Sequence, residues 1–290
     1  MPKSLSLDQI HAFEQDGVMF PMQVLTEEEV APARVALETL RATLGEQAAD
    51  WHRWRQLHLF HSWAWSLAMH PRVLDAVEDI IGPDIFVYGS GVFWKPPRDP
   101  AYVSWHQDGY NSKLSERFVS TWLAFTDSSP DNGCMRVVRG SHREGIFRHE
   151  RTSVSPDNIG TGGLEIACHV EESEATDITL APGEMSLHHV AIVHGSNPNT
   201  SDRPRIGYAV RYVPPSTRQK LDHIPVILAR GRDAFGYFRR LEEPASLSLQ
   251  EAIYAQHELS KWITVRTIDN PVPLPASTRL RWREPGSPAA

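Results

Sequence analysis

The sequence predicts a mainly β protein with flanking helices and a jelly-roll type of core. Residues before 84 show helical periods, and residues after 84 form short β-rich runs separated by Pro, Gly, Asn and Asp. Such runs are typical of a sandwich or barrel rather than of a parallel α/β sheet. The chain has 290 residues, of which 41% are hydrophobic, and this is ample for a buried core.

Two helices and a strand are predicted near the N-terminus. The run 5–16 has apolar residues at helical spacing, and Gly17 follows as a stop signal. A short strand is expected over 18–20. Thr26 stands before three glutamates as an N-cap with an acidic first turn, so a second helix is predicted over 27–46.

The segment 51–70 carries four tryptophans and four histidines and allows two interpretations. One is an aromatic cage or a metal cluster. The other is a core or a pocket wall, which is the usual role of aromatic residues at mixed spacing, and we favour it. Pro71 then begins a helix over the run PRVLDAVEDIIG, which Gly82 and Pro83 end.

Five apolar runs supply the predicted strands. They are DIFVYGSGVFWK, RFVSTWLAFTD, CMRVVRGS, ITLAPGEMSLHHVAIVHGS and RIGYAVRYV. The segment 150–176 is predicted to be a long exposed loop within this region. A further helix is expected over 247–262, and the final run EPGSPAA has the composition of a disordered tail.

The predicted organisation is a single domain over residues 1–290, because no repeat or linker divides the chain. It comprises an N-terminal helical part at about 1–83, a β core at about 84–214 and a C-terminal extension at about 215–290. We expect the segment 150–176 and the extension to fold over the mouth of the barrel as lids.

Composition excludes several classes of function. The net charge of −7, from 36 acidic and 29 basic residues, provides no basic field for nucleic acid. The chain has no long apolar run and no signal-peptide pattern at its start, so we expect a cytoplasmic protein without a membrane partner. Cys134 and Cys168 are expected to be reduced, buried thiols, and two cysteines exclude a Cys-ligated zinc site.

The string SWHQD contains the first candidate metal ligands. On an extended chain alternate side chains share a face, so His106 and Asp108 can point to one side and hold one ion. This HxD pattern is common by chance and needs a distant partner. Two histidines and one carboxylate would together form the facial triad of non-haem Fe(II) oxygenases.

The string VHGS supplies that partner, His194, at the end of an apolar strand. Arg205 begins the next strand, and an antiparallel return would bring its guanidinium close to His194. His188 and His189 are alternative ligands, which we interpret as a wall residue and a structural residue. Arg203 is the alternative cation, but Pro204 and its loop setting predict that it is exposed.

Taken together, these strings resemble the phytanoyl-CoA dioxygenase (PhyH-like) family of Fe(II)/2-oxoglutarate oxygenases. The resemblance covers roughly residues 8–214 through the strings WHQDG, DNGCMRVVRGSHREG and PGEMSLHHVAIVHGSNPNTSDRPR, and their order and spacing are highly specific. It implies a double-stranded β-helix core of the jelly-roll, cupin-like type. It also implies Fe(II), 2-oxoglutarate and O2 as cofactor and co-substrates.

The resemblance also implies a role for individual residues. His106, Asp108 and His194 match the iron ligands, and Arg205 matches the partner of the distal carboxylate of 2-oxoglutarate. Ser196 matches a position that helps to hold that carboxylate, and Trp122 resembles an aromatic residue that packs on the co-substrate. Halogenating members have a small residue in place of the carboxylate, so the presence of Asp108 implies hydroxylation.

The predicted function is therefore a dioxygenase that hydroxylates a small molecule and converts 2-oxoglutarate to succinate and CO2. One alternative is a jelly-roll binding protein without turnover. Another is a metalloenzyme that uses the same triad without 2-oxoglutarate, against which Arg205 argues. The expected substrate is a small metabolite or a natural-product intermediate, and no feature of the sequence sets the oligomeric state.

Four cations near the motifs are candidates for contact with an anionic substrate. They are Lys95, Arg98, Arg117 and Arg211. Charged side chains are mostly exposed in folded proteins, so each is predicted to be a solvated surface charge.

Overall fold

The computed structural model describes residues 2–112, 118–151, 155, 157–159, 164–218, 224–241, 247–266 and 282–283. The chain forms two compact units. Unit 1 comprises Met1–Val30, Phe93–Lys113 and Val119–Ala209, and unit 2 comprises Ala31–Val92, Leu114–Phe118 and Val210–Ala290. The single domain expected from the sequence stays a prediction.

Four of the six described helices were predicted from the sequence, with ends within four residues of the expected ones, and the two shorter helices at Ser62–Ala68 and Asp108–Ser112 were not predicted. The helices are α1 (Leu7–Asp16), α2 (Glu27–Leu44), α3 (Ser62–Ala68), α4 (Pro71–Ile81), α5 (Asp108–Ser112) and α6 (Leu249–Arg266). Short 3-10 turns lie at Gly45–Ala49, Trp51–Trp54, Leu57–Leu59, Pro130–Asn132, Ser141–Glu144 and Glu172–Glu174. Thr26 caps α2, because its hydroxyl accepts the N–H of Glu29 while the Glu29 carboxylate accepts the N–H of Thr26. Gly17 ends α1 in the left-handed conformation.

The strands follow the apolar runs, with short additions. They are β1 (Val18–Gln23), β2 (Ile85–Lys95), β3 (Val103–His106), β4 (Val119–Ala124), β5 (Met135–Val138), β6 (His149–Arg151), β7 (Leu164–Ile166), β8 (Thr176–Asp177), β9 (Glu184–His189), β10 (Val193–Ser196), β11 (Arg205–Val213), β12 (Val226–Arg230), β13 (Arg240–Leu241) and β14 (Trp282–Arg283).

Unit 1 contains two sheets that face each other. In unit 1 the strands of one sheet have the order β1-β9-β4-β11, and those of the other have the order β3-β10-β5-β8. Strands β1 and β4 both pair antiparallel with β9. All neighbouring strands of the second sheet are antiparallel. The chain alternates between the sheets from β3 to β4 to β5, and again from β9 to β10 to β11. This alternation of antiparallel strands is the pattern of a jelly roll.

The core of unit 1 lies between its two sheets. Side chains of one sheet meet side chains of the other in a single cluster: Val18, Trp122, Ala124, Met135, Val137, Ile178, Leu180, Ile192 and Ala209. Inward-facing positions therefore alternate along each strand with positions that face away from the core. Polar side chains on the same inward face must be hydrogen-bonded or reserved for a ligand, because burial of an unpaired polar group costs about 1–3 kcal/mol.

The described residues of the segment 150–176 include parts of two strands and a β-bridge. Strands β6 and β7 pair antiparallel, and Asn158 forms a β-bridge with Tyr102 beside β3. Ser104 forms three hydrogen bonds with this segment: its N–H donates to the Asn158 side-chain oxygen, and its hydroxyl accepts from the Asn158 amide and donates to the Leu164 carbonyl. The expectation of a long exposed loop is therefore wrong for β6, β7 and Asn158, whereas residues 167–175 lie outside the strands and are mostly exposed, as expected. Its role as a lid stays a prediction.

Unit 2 holds the tryptophan-rich segment, and its structure supports the core interpretation. Leu57, Leu59 and Phe60 are buried, and the fully buried His58 bonds Ser90 of β2 at 2.8 Å. Burial lowers the pKa of His58 to about 3, so this imidazole is neutral. The residues described in this segment form no group able to hold a metal ion.

The remaining elements of unit 2 are the last helix and strands that belong to an eight-stranded sheet of the order β1-β9-β4-β11-β2-β12-β13-β14. The strands of unit 2 in this sheet include β2, β12, β13 and β14, of which β12 and β13 run parallel. Helix α6 confirms the predicted helix at 247–262, and its Gln256 donates to the carbonyls of His52 and Arg55. The run EPGSPAA lies outside the described residues. No described helix has the length and apolar content needed to cross a membrane.

Candidate active site

The proposed ligands come from three neighbouring pieces of unit 1. His106 is the last residue of β3, and His194 of β10 is its direct cross-strand partner. Asp108 is the first residue of α5, so the chain turns from strand to helix within the HxD string. The expectation that His106 and Asp108 share one face of an extended strand is therefore wrong. The turn at Gln107 brings the two side chains together instead.

The three side chains converge on one point. One potential ligand atom from each of His106, Asp108 and His194 lies within 4.8 Å of the other two, and all three residues are buried. Asp108 Oδ1 is 4.0 Å from His106 Nε2, and the two imidazole ring centroids are 4.1 Å apart. Two nitrogen donors and one carboxylate at this spacing can hold a single first-row metal ion on one side.

Local hydrogen bonds fix which imidazole nitrogen faces that point. His106 Nδ1 lies 2.9 Å from the carbonyl oxygen of Ser104, and His194 Nδ1 lies 3.0 Å from that of Ile192. A carbonyl only accepts, so each Nδ1 carries the proton and each Nε2 carries the lone pair. In both histidines the carbonyl belongs to the residue two positions earlier, which orients the ring for metal binding.

The other histidines near the site have supporting positions. His188 is buried with its ring centroid 5.3 Å from that of His194, as expected of a wall residue. His189 accepts the backbone N–H of Ala191, and its ring lies 4.9 Å from that of His142. Neither His188 nor His189 belongs to the three-residue group in the described chain.

Arg205 is a fully buried cation at the start of β11. Its Nε has no hydrogen-bond partner, and no carboxylate of the described chain forms an ion pair with it. Burial lowers the pKa of Arg205 to about 10, so the guanidinium is still charged at neutral pH. An uncompensated buried charge is costly, and a carboxylate of a ligand would relieve that cost.

The route by which Arg205 reaches the site differs from the expected one. Strands β10 and β11 belong to different sheets, so the predicted antiparallel return beside His194 is wrong. Arg205 instead lies next to β4, with its guanidinium 5.4 Å from the centre of the Trp122 ring. Gly207 makes room for that indole, since a Cβ at this position would lie 1.9 Å from Trp122 Cζ2.

Lys95 is a candidate from the sequence whose burial the sequence interpretation missed. It is 0% exposed, so the prediction of a solvated surface charge is wrong. Its ammonium donates to Ser196 Oγ at 2.8 Å and to the Asn197 carbonyl. Burial, reinforced by the positive charge of Arg205, lowers the pKa of Lys95 to about 6. The sequence did contain one indication of this burial, because Lys95 lies in the apolar strand run GVFWK.

The other basic candidates fall into two groups. Arg98 is exposed and paired with Asp202, and Arg203 is exposed and paired with Asp131, as predicted. Arg211 is half-buried, so the prediction that it is a solvated surface charge holds only in part. Arg117 lies outside the described residues.

Gln107 is a second residue whose role the sequence did not reveal. It is fully buried, and its amide donates to the carbonyls of Gly145 and Ala191. Its side-chain oxygen accepts the N–H of Phe147, and its own N–H donates to His149 Nε2. The middle residue of the HxD string therefore fastens the chain around 145–149 beside the three candidate ligands.

The two cysteines differ in their burial. Cys134 is buried, and burial raises the pKa of its thiol to about 11, so it is unreactive. Cys168 is exposed, and the expectation that it is buried is wrong. Both are free thiols, as predicted.

Comparison with known proteins agrees with this geometry. The family model for phytanoyl-CoA dioxygenase (PhyH) matches residues 13–207. The chain belongs to this family. The predicted family and its class, the Fe(II)- and 2-oxoglutarate-dependent dioxygenases, are thereby confirmed, together with the double-stranded β-helix core and the cofactor set.

Similar proteins act on different small molecules according to their names. A probable alpha-ketoglutarate-dependent hypophosphite dioxygenase of Stutzerimonas stutzeri is 29% identical over 180 residues, which are 57% of this chain and 59% of that protein. An ectoine dioxygenase of Bordetella bronchiseptica is 25% identical over 234 residues, or 72% of this chain and 75% of that one. The chain thus spans little more than half of the hypophosphite relative.

A solved structure extends the similarity to nearly the whole chain. The apo form of the non-heme monooxygenase ThoJ is 30% identical, with a TM-score of 0.75, and the match covers 89% of this chain and 96% of ThoJ.

The residues of unit 1 fit the metal and the co-substrate of the family. Two imidazole nitrogens and one carboxylate oxygen are a donor set suited to Fe(II). The buried guanidinium of Arg205, which lacks an acidic partner in the described chain, suits a dicarboxylic acid.

Proposed function

We propose that this Fe(II)- and 2-oxoglutarate-dependent dioxygenase hydroxylates a small molecule. In this proposal His106, Asp108 and His194 hold the iron, and Arg205 binds the distal carboxylate of 2-oxoglutarate. The observation that carries it is the buried guanidinium of Arg205, which forms no ion pair in the described chain and lies in the same compact unit as the three ligands. A metalloenzyme that does not use a dicarboxylate has no need of such a cation.

Each residue has a defined task in this proposal. The two imidazoles present Nε2 because their Nδ1 protons are held by backbone carbonyls. Ser196 receives a hydrogen bond from Lys95, which leaves its own hydroxyl proton for the carboxylate that Arg205 binds. Trp122 supplies an apolar wall over the guanidinium and keeps water from that ion pair.

The bound iron and 2-oxoglutarate supply O2 activation, with release of succinate and CO2 and oxidation of a C–H bond of the substrate. The contribution of the protein is orientation and a buried setting. A ligand set with three protein donors leaves coordination positions for a chelating co-substrate and for O2.

The substrate is proposed to be a small metabolite or a natural-product intermediate. The names of the relatives support a small molecule, since ectoine and hypophosphite are both of this size. A cytoplasmic location is part of the same proposal and is based on the composition of the sequence.

The test combines binding with turnover. Purified protein is titrated anaerobically with Fe(II) and 2-oxoglutarate, and the visible charge-transfer absorption of the chelate is recorded. O2 is then admitted with a panel of small metabolites, and succinate and O2 consumption are measured. We expect one succinate per O2 consumed and faster turnover with a true substrate.

The two alternatives give different results in this experiment. A binding protein without turnover forms the chelate but no succinate. A triad enzyme that does not use 2-oxoglutarate binds Fe(II) but shows no charge-transfer band, and its Arg205→Ala variant behaves like the parent. Either result would overturn the proposal.

A further inference from the structure

The carboxylate of Asp108 accepts a hydrogen bond from a side chain outside the ligand set. The hydroxyl of Ser120 donates to Asp108 Oδ2 at 3.0 Å. Ser120 is 1% exposed and Asp108 is 9% exposed, so both groups are withdrawn from water. A hydrogen bond to an ionised carboxylate in such a setting is stronger than one between neutral groups, and it favours the rotamer that forms it.

The strand that carries Ser120 is itself firmly placed. Ser120 lies in β4 opposite His188 of β9, and both of its neighbours also pair with β9. Ser120 and Trp122 are two positions apart, so they share the inward face of this strand. The hydroxyl is therefore aimed by the sheet at Asp108, rather than by the short helix that carries Asp108.

The two oxygens of Asp108 are thereby made different. Oδ2 receives the Ser120 hydroxyl, while Oδ1 is the oxygen 4.0 Å from His106 Nε2. A carboxylate at the start of a helix has rotational freedom about its last bond, and without a fixed neighbour it can offer either or both oxygens.

We infer that Ser120 is a positioning residue that makes Asp108 bind the metal through Oδ1 alone. Coordination by one oxygen keeps three positions open opposite the protein ligands, which a chelating co-substrate and O2 require. This inference rests on the proposed function, because it assumes a metal ion held by His106, Asp108 and His194.

Ser186 offers a matched control. It lies in β9 opposite Trp122, it is fully buried, and its hydroxyl has no hydrogen-bond partner in the described chain. Ser120→Ala and Ser186→Ala therefore remove the same atom from adjacent strands of the same sheet. They differ in whether that atom bonds a proposed ligand.

The experiment uses Co(II) alone as the probe, in the full-length protein without 2-oxoglutarate. Affinity and coordination are read from the visible absorption spectrum of bound Co(II). Loss of a partner of a metal ligand typically lowers affinity about 10–100-fold. We expect this loss and a changed band shape in Ser120→Ala, and values within about twofold of the parent in Ser186→Ala.

Two further variants separate the hydrogen bond from packing. Ser120→Thr keeps the hydroxyl and should recover most of the affinity. Ser120→Cys keeps the approximate volume with a weaker donor, and it should lose affinity even where Ser120→Ala fails to fold. The inference would be overturned if Ser120→Ala, or Ser120→Cys where Ser120→Ala does not fold, had the same Co(II) affinity and spectrum as the control Ser186→Ala.

Failure of the proposed function has its own signature. If the parent and His106→Ala bind Co(II) equally, the metal is not at the three residues, and both the proposed function and the role of Ser120 are overturned. If His106→Ala loses Co(II) while Ser120→Ala does not, only the role of Ser120 is lost.

Discussion

The two ends of the candidate site in unit 1 are built in opposite ways. At the metal end, the hydrogen-bonding atoms that face away from the metal position have partners: each histidine Nδ1 has a carbonyl, and Asp108 Oδ2 has Ser120. At the anion end, Lys95 and Arg205 are both buried, and neither forms an ion pair with a carboxylate in the described chain, although the charge of Asp99 raises the pKa of both. The polar atoms at the metal end have hydrogen-bond partners, whereas the basic side chains at the anion end have no carboxylate within ion-pair distance in the described chain.

This difference shows which part of the site is complete without a ligand. Bonds at the metal end are mostly local, with the carbonyl two residues before each histidine, so they form with the strands themselves. The anion end depends on contacts between residues far apart in the sequence, such as Lys95 with Ser196. The desolvated guanidinium of Arg205 costs stability until a carboxylate arrives, and ligand binding should therefore stabilise the fold strongly.

The largest effect is expected from removal of metal ligands. His106→Ala and His194→Ala each take away one of three donors, so iron-dependent succinate formation should fall by at least about 10³-fold. The fold should persist, because the core lies between the sheets and does not include the metal. Circular dichroism checks the fold. Turnover retained in either variant would remove that residue from the ligand set.

Arg205→Met tests the anion end directly. Loss of a buried charge-assisted pair should weaken 2-oxoglutarate binding about 100-fold, or roughly 3 kcal/mol, with little change in metal affinity. Without its co-substrate the variant should melt at a higher temperature than the parent, because a desolvated charge has been removed. Calorimetry measures both quantities. An unchanged affinity for 2-oxoglutarate would place its carboxylate elsewhere.

Lys95→Met tests the anion end through the pH dependence of 2-oxoglutarate binding. Burial first, and then the charge of Arg205, lower the pKa of Lys95 from 10.5 to about 6. A carboxylate favours the ammonium, so 2-oxoglutarate binding should take up a proton and weaken as the pH rises from about 6 to 8. We expect Lys95→Met to bind about tenfold more weakly and without this dependence. A pH dependence that persists in the variant would exclude Lys95 as its source.

Stability gives an independent check on Lys95. Its pKa in the fold is below its value in the unfolded chain, so between about pH 6 and pH 10 the unfolded chain holds the additional proton. The free energy of unfolding should therefore rise with pH across that window in the parent. The slope should be smaller in Lys95→Met, which urea titrations at several pH values would measure.

The smallest effect is expected at Arg203, the alternative cation. Its side chain is exposed and already paired with Asp131 and Asp127. Exposed pairs contribute about 0–1 kcal/mol, so Arg203→Ala should change 2-oxoglutarate affinity by less than about twofold. A large loss would reverse the assignment of the two arginines.

The sequence by itself determined the parts that depend on near neighbours. Helical periods and caps placed α1, α2 and α4, and the apolar runs placed the strands. The family strings located His106, Asp108 and His194, which the structure brings within reach of one ion. These features depend on residues a few positions apart or on strings that can be recognised as such.

Tertiary structure alone decided the rest. The grouping of strands into sheets separates β10 from β11, and it places Arg205 against Trp122 rather than beside His194. Burial of Lys95, and the hydrogen bond from Ser120 to Asp108, likewise arise where distant segments meet. No local pattern encodes them, because the cost of burying a polar group and the partner that offsets it are fixed only when the sheets close around a common core.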